Sequence, residues 1–200
     1  SPEDAPRDLV RARVLRAARI VLAERGLATT VDDVAERAGV NRRTIFRHFS
    51  TRERLFAAAI EEGLRRYAQQ IPPPPDDGDL TAWLLDLLLT AHRLNAGNGR
   101  IYWELAALGT EVSGELAEAA EGRRTSRRRF AIGVTSRMWR ARGGQGRPPV
   151  WLVDAVAVHL SGFTTQSLAG DFGRTPDEVA RVSARVLEAG LTAALAESGG

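Results

Sequence analysis

Apolar residues recur at three- and four-residue intervals along most of the chain, and the alternation typical of strands is almost absent, so the pattern predicts an all-α fold. From Asp8 to Glu24 the positions Val10, Val14, Ala17, Ala18, Val21 and Leu22 form one stripe, which Gly26 closes as a C-terminal cap. Thr30 opens a short helix to Ala38, Gly39 stops it, and Asn41 caps a second short helix through His48. Ser50 with Glu53 predicts a capping box, hydroxyl and carboxylate each satisfying a free backbone N–H. The helix it opens carries Phe56, Ile60, Leu64, Tyr67 and Ile71 on one face.

Pro72 to Pro75 ends that helix, because successive prolines cannot donate amide protons and favour polyproline II. Asp79 is the next expected cap. Helical patterns resume over 80–95, 100–109, 113–142, 150–169 and 176–197, with breaks at Gly97/Gly99, at the glycines and prolines from Gly143 to Pro149, and from Asp171 to Pro176. The division expected is a helix-turn-helix domain over 1–50, a connecting helix over 51–71, a linker over 72–79, and a second helical domain over 80–200. That is an N-terminal bundle of three to four helices joined to a larger C-terminal one.

Composition narrows the chemistry. With 44% hydrophobic residues the chain can bury a core, and without cysteine it has no disulfides, thiolate metal sites or cysteine nucleophiles. No run of 18 apolar residues and no signal-like start are seen, which reads as a cytoplasmic chain with no membrane partner. All 28 basic residues are Arg, and they are spread unevenly: residues 1–71 hold 14 against 10 acids, residues 72–200 hold 14 against 15. A basic first third beside a near-neutral remainder points to nucleic acid at one end only. There is no Gly-rich phosphate loop, no paired metal-ligand spacing and, with three His, no nucleophile–base constellation; no enzyme, cofactor or metal is expected. A non-specific architectural DNA binder needs a larger positive excess than +3.

The informative segment is VDDVAERAGVNRRTIFRH, from Val31 to His48. A helix-turn-helix needs a small residue where two helices approach, a turn residue that tolerates positive φ, and apolar residues that lock the second helix onto the first. Ala35, Gly39 and the set Val34, Val40 and Ile45 supply them, with Gly four positions after Ala and Ile six further on. Asn41 at the cap leaves Arg42, Arg43 and Thr44 in the first turn of the second helix, the part that enters a major groove. Successive residues point about 100° apart, so Arg42 and Arg43 cannot face the same base. One is expected to fork onto guanine and the other to reach a neighbouring base or phosphate. Thr30, at a helix N-terminus, offers a hydroxyl and backbone N–H groups to a phosphate.

The stretch TTVDDVAERAGVNRRTIFRHFSTRERLF resembles the DNA-binding domain of the tetracycline-repressor (TetR) family over residues 8–60. The resemblance implies a homodimer on a near-palindromic DNA operator, acting as a bacterial repressor that a small-molecule effector releases. His48 and Arg52 stand where the family places phosphate contacts, Arg52 where Lys is common. Phe46 departs from the usual Tyr, removing a phenol-to-phosphate hydrogen bond but leaving a ring to pack on a thymine methyl. Arg47 and Arg54 read as solvated charge, although Arg47 is kept among the DNA-binding candidates.

Beyond the linker, Trp151 to Leu168 is apolar nearly all round and so needs cover on most sides. In the segment from Asp177 to Glu197, Val179, Val182, Val186, Gly190 and Ala194 form a stripe. The resemblance implies that these last helices pair with their twins. Effector candidates are Trp83, His92, Tyr102, Trp103, Phe130, Trp139, His159 and Phe163, suiting an apolar or aromatic small molecule. Residues 123–142 hold eight Arg and no acid; a solvated face, an anionic effector and an auxiliary DNA contact all remain open for them.

Overall fold

The computed structural model describes residues 4–75, 79–107 and 114–198. Its helices, in chain order, are α1 (Asp4–Arg25), α2 (Val31–Ala38), α3 (Arg42–His48), α4 (Arg52–Gln70), α5 (Leu80–Ala107), α6 (Gly114–Ala141), α7 (Val150–His159), α8 (Gly162–Phe172) and α9 (Pro176–Ser198), with a 3-10 turn at Gly26–Ala28. Among the described residues there are no strands. The chain divides into two compact units, Ser1–Ala68 with Arg100–Arg123, and Gln69–Gly99 with Arg124–Gly200.

In the first unit, Val14, Ala18 and Leu22 of α1, Val31, Val34 and Ala38 of α2, Ile45 of α3, and Leu55, Phe56 and Ile60 of α4 share one core. Ile101 and Leu105, from the end of α5, and Ala119 of α6 belong to the same core. The start of α4 differs from the sequence expectation. Ser50 and Glu53 form no capping box; the Thr51 hydroxyl instead accepts the Arg54 N–H at 3.0 Å, and Ser50 meets the Arg54 guanidinium at 3.2 Å. The helix begins at Arg52, one residue later than a Ser50 cap requires. That start places Thr51, not Ser50, three residues before an unpaired N–H.

In the second unit, the expected break at Gly97/Gly99 is absent and α5 runs through it. Glycine costs a helix only about 1 kcal/mol and, unlike proline, keeps its N–H donor. Buried Leu87, Leu88 and Ala91 before the glycines and Ile101 and Leu105 after them outweigh that cost. Conversely, the single segment expected over 150–169 is two helices. Ser161 interrupts it: its hydroxyl accepts the Thr164 N–H at 3.2 Å, and the Ser161 and Thr164 hydroxyls both donate to Val158 O at 2.6 Å. Short hydroxylated side chains compete with the helical ladder in this way. Asp79 caps α5 as its sequence suggests, accepting from the N–H of Thr81 and Ala82.

The core face of α9 is Val179, Ala180, Ser183, Leu187, Leu191 and Ala194, while Val182 and Val186 of the expected stripe lie outward. Leu152 and Val156 of α7 and Leu160 just after it are buried, but Val150, Trp151 and Val158 of α7 and Phe163 of α8 stay exposed by 42–75%.

Candidate nucleic-acid interface

Two local devices aim α3. Gly39 takes a left-handed conformation at φ 61° and ψ 40°. The chain thereby reverses within one turn, and Gly39 N and Val40 N reach Glu36 O and Ala35 O. Asn41 then accepts the Thr44 N–H through Oδ1 at 2.8 Å and fixes the first turn of α3. Ile45 is fully buried against the α2 side. With that face locked inward, Asn41, Arg42, Arg43 and Arg47 are exposed, and Val40, Thr44, Phe46 and His48 are half-buried.

The exposed arginines are not equivalent. Arg42 donates to Asp32 at 2.9 Å and lies 5.3 Å from the Phe46 ring centroid, so its guanidinium is already engaged. Arg43 and Arg47, four positions apart on the same side of α3, have no such partner among the described residues. Thr30 caps α2 in a full capping box: its hydroxyl and its N–H both bond to the Asp33 carboxylate, and its oxygen accepts the Asp33 N–H. Those bonds hold the Asp33 carboxyl below its ordinary range, helped by the ion pair with Arg25.

Arg52 is turned into the protein. Its guanidinium donates to Leu27 O at 2.8 Å and Thr29 O at 3.0 Å, and it stacks 4.4 Å from the Phe56 centroid. It therefore secures the segment that leads into Thr30. At the far end of α3, burial holds the His48 imidazole below its ordinary value, and the cations Arg47, Arg7 and Arg11 push it the same way. Sequence reasoning passed over Arg7 and Arg11, and over Glu104, whose carboxylate accepts the Leu27 N–H at 2.5 Å from 77 positions away. No local pattern signals a partner at that separation.

Residues 14–59, which contain this entire turn, match the family model described as bacterial regulatory proteins, tetR family. Residues 14–59 are a tetR-family domain. The HTH-type transcriptional repressor SCO4008 of Streptomyces coelicolor is 29% identical over 116 residues, covering 57% of this chain. The chain thus spans 59% of that relative's length. Over the whole chain the likeness is one of fold. A crystal structure of a tetR-family transcriptional regulator from Streptomyces coelicolor aligns with a TM-score of 0.72 at 20% identity, over 96% of this chain and 82% of that one. The regulator FadR from Bacillus subtilis, in complex with stearoyl-CoA, aligns with a TM-score of 0.64 at 17% identity, over 88% and 95%.

The effector candidates do not gather in one place. Tyr102 and Trp103 belong to the unit that contains the tetR-family domain, and the other six to the second unit. Tyr102 is half-buried near Gly63, and burial pushes its phenol up to about 12; Trp103 is exposed. In the second unit Trp139 is buried beneath the Gly144 turn, its indole N–H on Gln145 O at 3.1 Å. Trp83 donates to Pro72 O, also at 3.1 Å. Phe130 is half-buried and Phe163 exposed. Among the Arg-rich residues, Arg127 donates to Ala157 O at 2.7 Å near the C-terminus of α7, Arg137 to Pro75 O, and Arg142 to the Thr81 hydroxyl at 2.8 Å. The described residues hold no cluster of His, Asp and Glu arranged for a metal ion, and no helix long and apolar enough to cross a membrane.

The two histidines of the second unit form a polar seam through its apolar interior. His92 is fully buried with Nδ1 2.8 Å from the Thr165 hydroxyl; His159, half-buried, places Nδ1 3.1 Å from Ser183 Oγ. Thr165 also donates to Ser161 O, and a backbone hydrogen bond with His159 partly offsets the effect of burial on the His92 ring. Burial pushes the His92 imidazole down from 6.5 to about 4. The folded value lies below the unfolded one, so the stability it confers is complete above about pH 6.5 and drains away as pH falls toward 4. The expected loss is about 3 kcal/mol at 1.36 kcal/mol per unit. Thermal unfolding at pH 7 and pH 4.5 checks this: His92→Gln should flatten the acid loss, and an equal loss in both proteins rules it out.

Proposed function

We propose that this protein is a homodimeric, sequence-specific DNA-binding transcriptional repressor that a small-molecule effector releases from its operator. The observation that carries the reading is α3 itself. It is pinned by Gly39, Asn41 and Ile45 inside the tetR-family domain, and it presents Arg43 and Arg47 without internal partners. In this reading residues 1–50 read DNA, 51–71 connect, 72–79 link, and 80–200 sense and dimerise. Arg43 takes the base-reading role and Arg47 a phosphate or flanking base. Arg42, Asn41, Thr44, Val40 and Phe46 shape the approach, and Thr30 and His48 meet phosphates on either side. Arg52 supports Thr30 from beneath.

The exposed apolar side chains Val150, Trp151, Val158, Phe163, Val182 and Val186 on α7, α8 and α9 favour a second copy of the chain as their cover. The effector is an apolar or aromatic small molecule. The stearoyl chain of the ligand in the FadR complex supports an apolar part, and His92 is the buried polar group assigned to orient it.

Duplexes selected by the wild-type protein from a random-sequence pool test the reading. Arg43→Ala should cost the selected duplex about 1–3 kcal/mol relative to a scrambled one, the worth of one bidentate base contact. Arg52→Ala should lower the thermal midpoint as well as affinity, because it frees two carbonyls and uncovers Phe56. A protein that shows no preference among duplexes, or an Arg43→Ala variant with unaltered preference, defeats the assignment.

A further inference from the structure

Arg7 and Arg11 stand on a face of α1 where a surface helix has no need of charge. Positions 7, 11, 14, 18 and 22 follow at intervals of four, three, four and four, which makes them one stripe. Val14, Ala18 and Leu22 of that stripe are buried, whereas Arg13 and Arg16 turn away from it. The core-facing side of α1 therefore leaves the core at its N-terminal end as two arginines, and it does so beside the end of α3. The Arg11 guanidinium carbon is 5.3 Å from the centroid of Phe49, the residue after α3. Arg7, Arg11 and Arg47 all act on the same His48 ring, with Asp8 the acid that opposes them. All three arginines are exposed, and none has a carboxylate partner among the described residues.

Like charges gathered in this way repel one another and work against the fold. The burden is lifted when a polyanion lies across them, and the neighbouring helix is the one that reads DNA in the function proposed above. A helix seated in the major groove is flanked by phosphates, and its C-terminal end faces a backbone strand. We infer that Arg7 and Arg11, with Arg47 and His48, form a phosphate-binding cluster by which α1 grips the DNA backbone beside α3. The competing account is packing alone: the apolar stems of Arg7 and Arg11 cover the rim of the core, and their charges are incidental. Methionine keeps such a stem and removes the charge, so the two accounts separate.

This inference rests on the DNA-binding reading, and the experiment is arranged so that each can fail by itself. The probes are a duplex that the wild-type protein selects from a random-sequence pool and a scrambled duplex of equal length, titrated at several salt concentrations. The variants are Arg7→Met/Arg11→Met and Arg7→Lys/Arg11→Lys. The methionine pair should weaken both duplexes alike and lower the slope of log affinity against log salt by about 1.8 for each bound protomer, about 0.9 per lost phosphate contact. Its thermal midpoint should not fall below that of wild type, since the repulsion among the arginines is relieved, and the lysine pair should restore the slope. If the methionine pair does not fold, Arg7→Met alone, which leaves the Phe49 contact intact, should lower the slope by about 0.9. An unchanged slope in a folded methionine variant overturns the cluster and leaves the DNA reading standing. Failure of the wild type to select any duplex overturns both.

Discussion

A fragment ending at Ile71 is expected to be largely unfolded, even though it contains the whole helix-turn-helix. The core around that motif is completed by residues from much later in the chain: Ile101 and Leu105 are almost fully buried in it. The Leu27 N–H has the Glu104 carboxylate as its acceptor. Uncovering two large aliphatic contacts costs about 1.5–3 kcal/mol each. Stranding a part-buried N–H adds about 1–3 kcal/mol. Set against a domain stability of about 5–15 kcal/mol, that loss removes most of the margin. Circular dichroism and a thermal melt of residues 1–71 beside the full chain check it. A cooperative melt near that of the full chain would falsify the expectation. The linker thus marks a change in sequence character that is not where this compact unit ends.

Gly26→Ala should be the most damaging single methyl addition to the same unit, at about 3 kcal/mol in total. Gly26 holds φ +60°, a region that costs a residue with a Cβ about 1–2 kcal/mol. The added methyl would also overlap the Glu104 carboxylate. Glu104 can swing aside, but only by releasing Leu27 N–H and its ion pair with Arg100, so the cost returns as a lost hydrogen bond of about 1–3 kcal/mol. Glu104→Gln, which keeps an acceptor, should lose much less. Denaturant unfolding of both variants decides between strain and hydrogen bonding, and a Gly26→Ala midpoint equal to wild type contradicts both.

What the sequence made legible was local. Thr30, Asn41, Asp79, Gly26 and Gly39 act within three or four residues of themselves, so their roles follow from residue type and spacing. The start of α4 was harder, because Ser50 and Thr51 are both good caps and the helix begins one residue later than a Ser50 cap requires. Glycine and serine misled in opposite directions. Gly97 is tolerated within α5 since a helix loses only propensity there, whereas Ser161 stops an apolar segment by offering the backbone another partner. Site chemistry that depends on distant partners was not legible. Arg52 reads as a phosphate contact from its place in the motif, and spacing gives no sign of the carbonyls of Leu27 and Thr29 beside it, 25 and 23 positions back. Likewise, the Trp83 and Trp139 indoles are committed to backbone carbonyls of turns, which spacing along a helix cannot foretell.

The brevity of α3 sets the vocabulary available to one chain. Seven residues at 1.5 Å each give a rod about 10 Å long, and a duplex climbs about 3.4 Å per step, so roughly three base pairs lie alongside it. Any three-letter word recurs by chance about once in 64 positions, far too often to single out a promoter among the competing sites of a genome. In the DNA reading proposed above, selectivity is then compounded from separate words at a fixed spacing, and a variant that reads its own word perfectly but cannot assemble is lost among random matches.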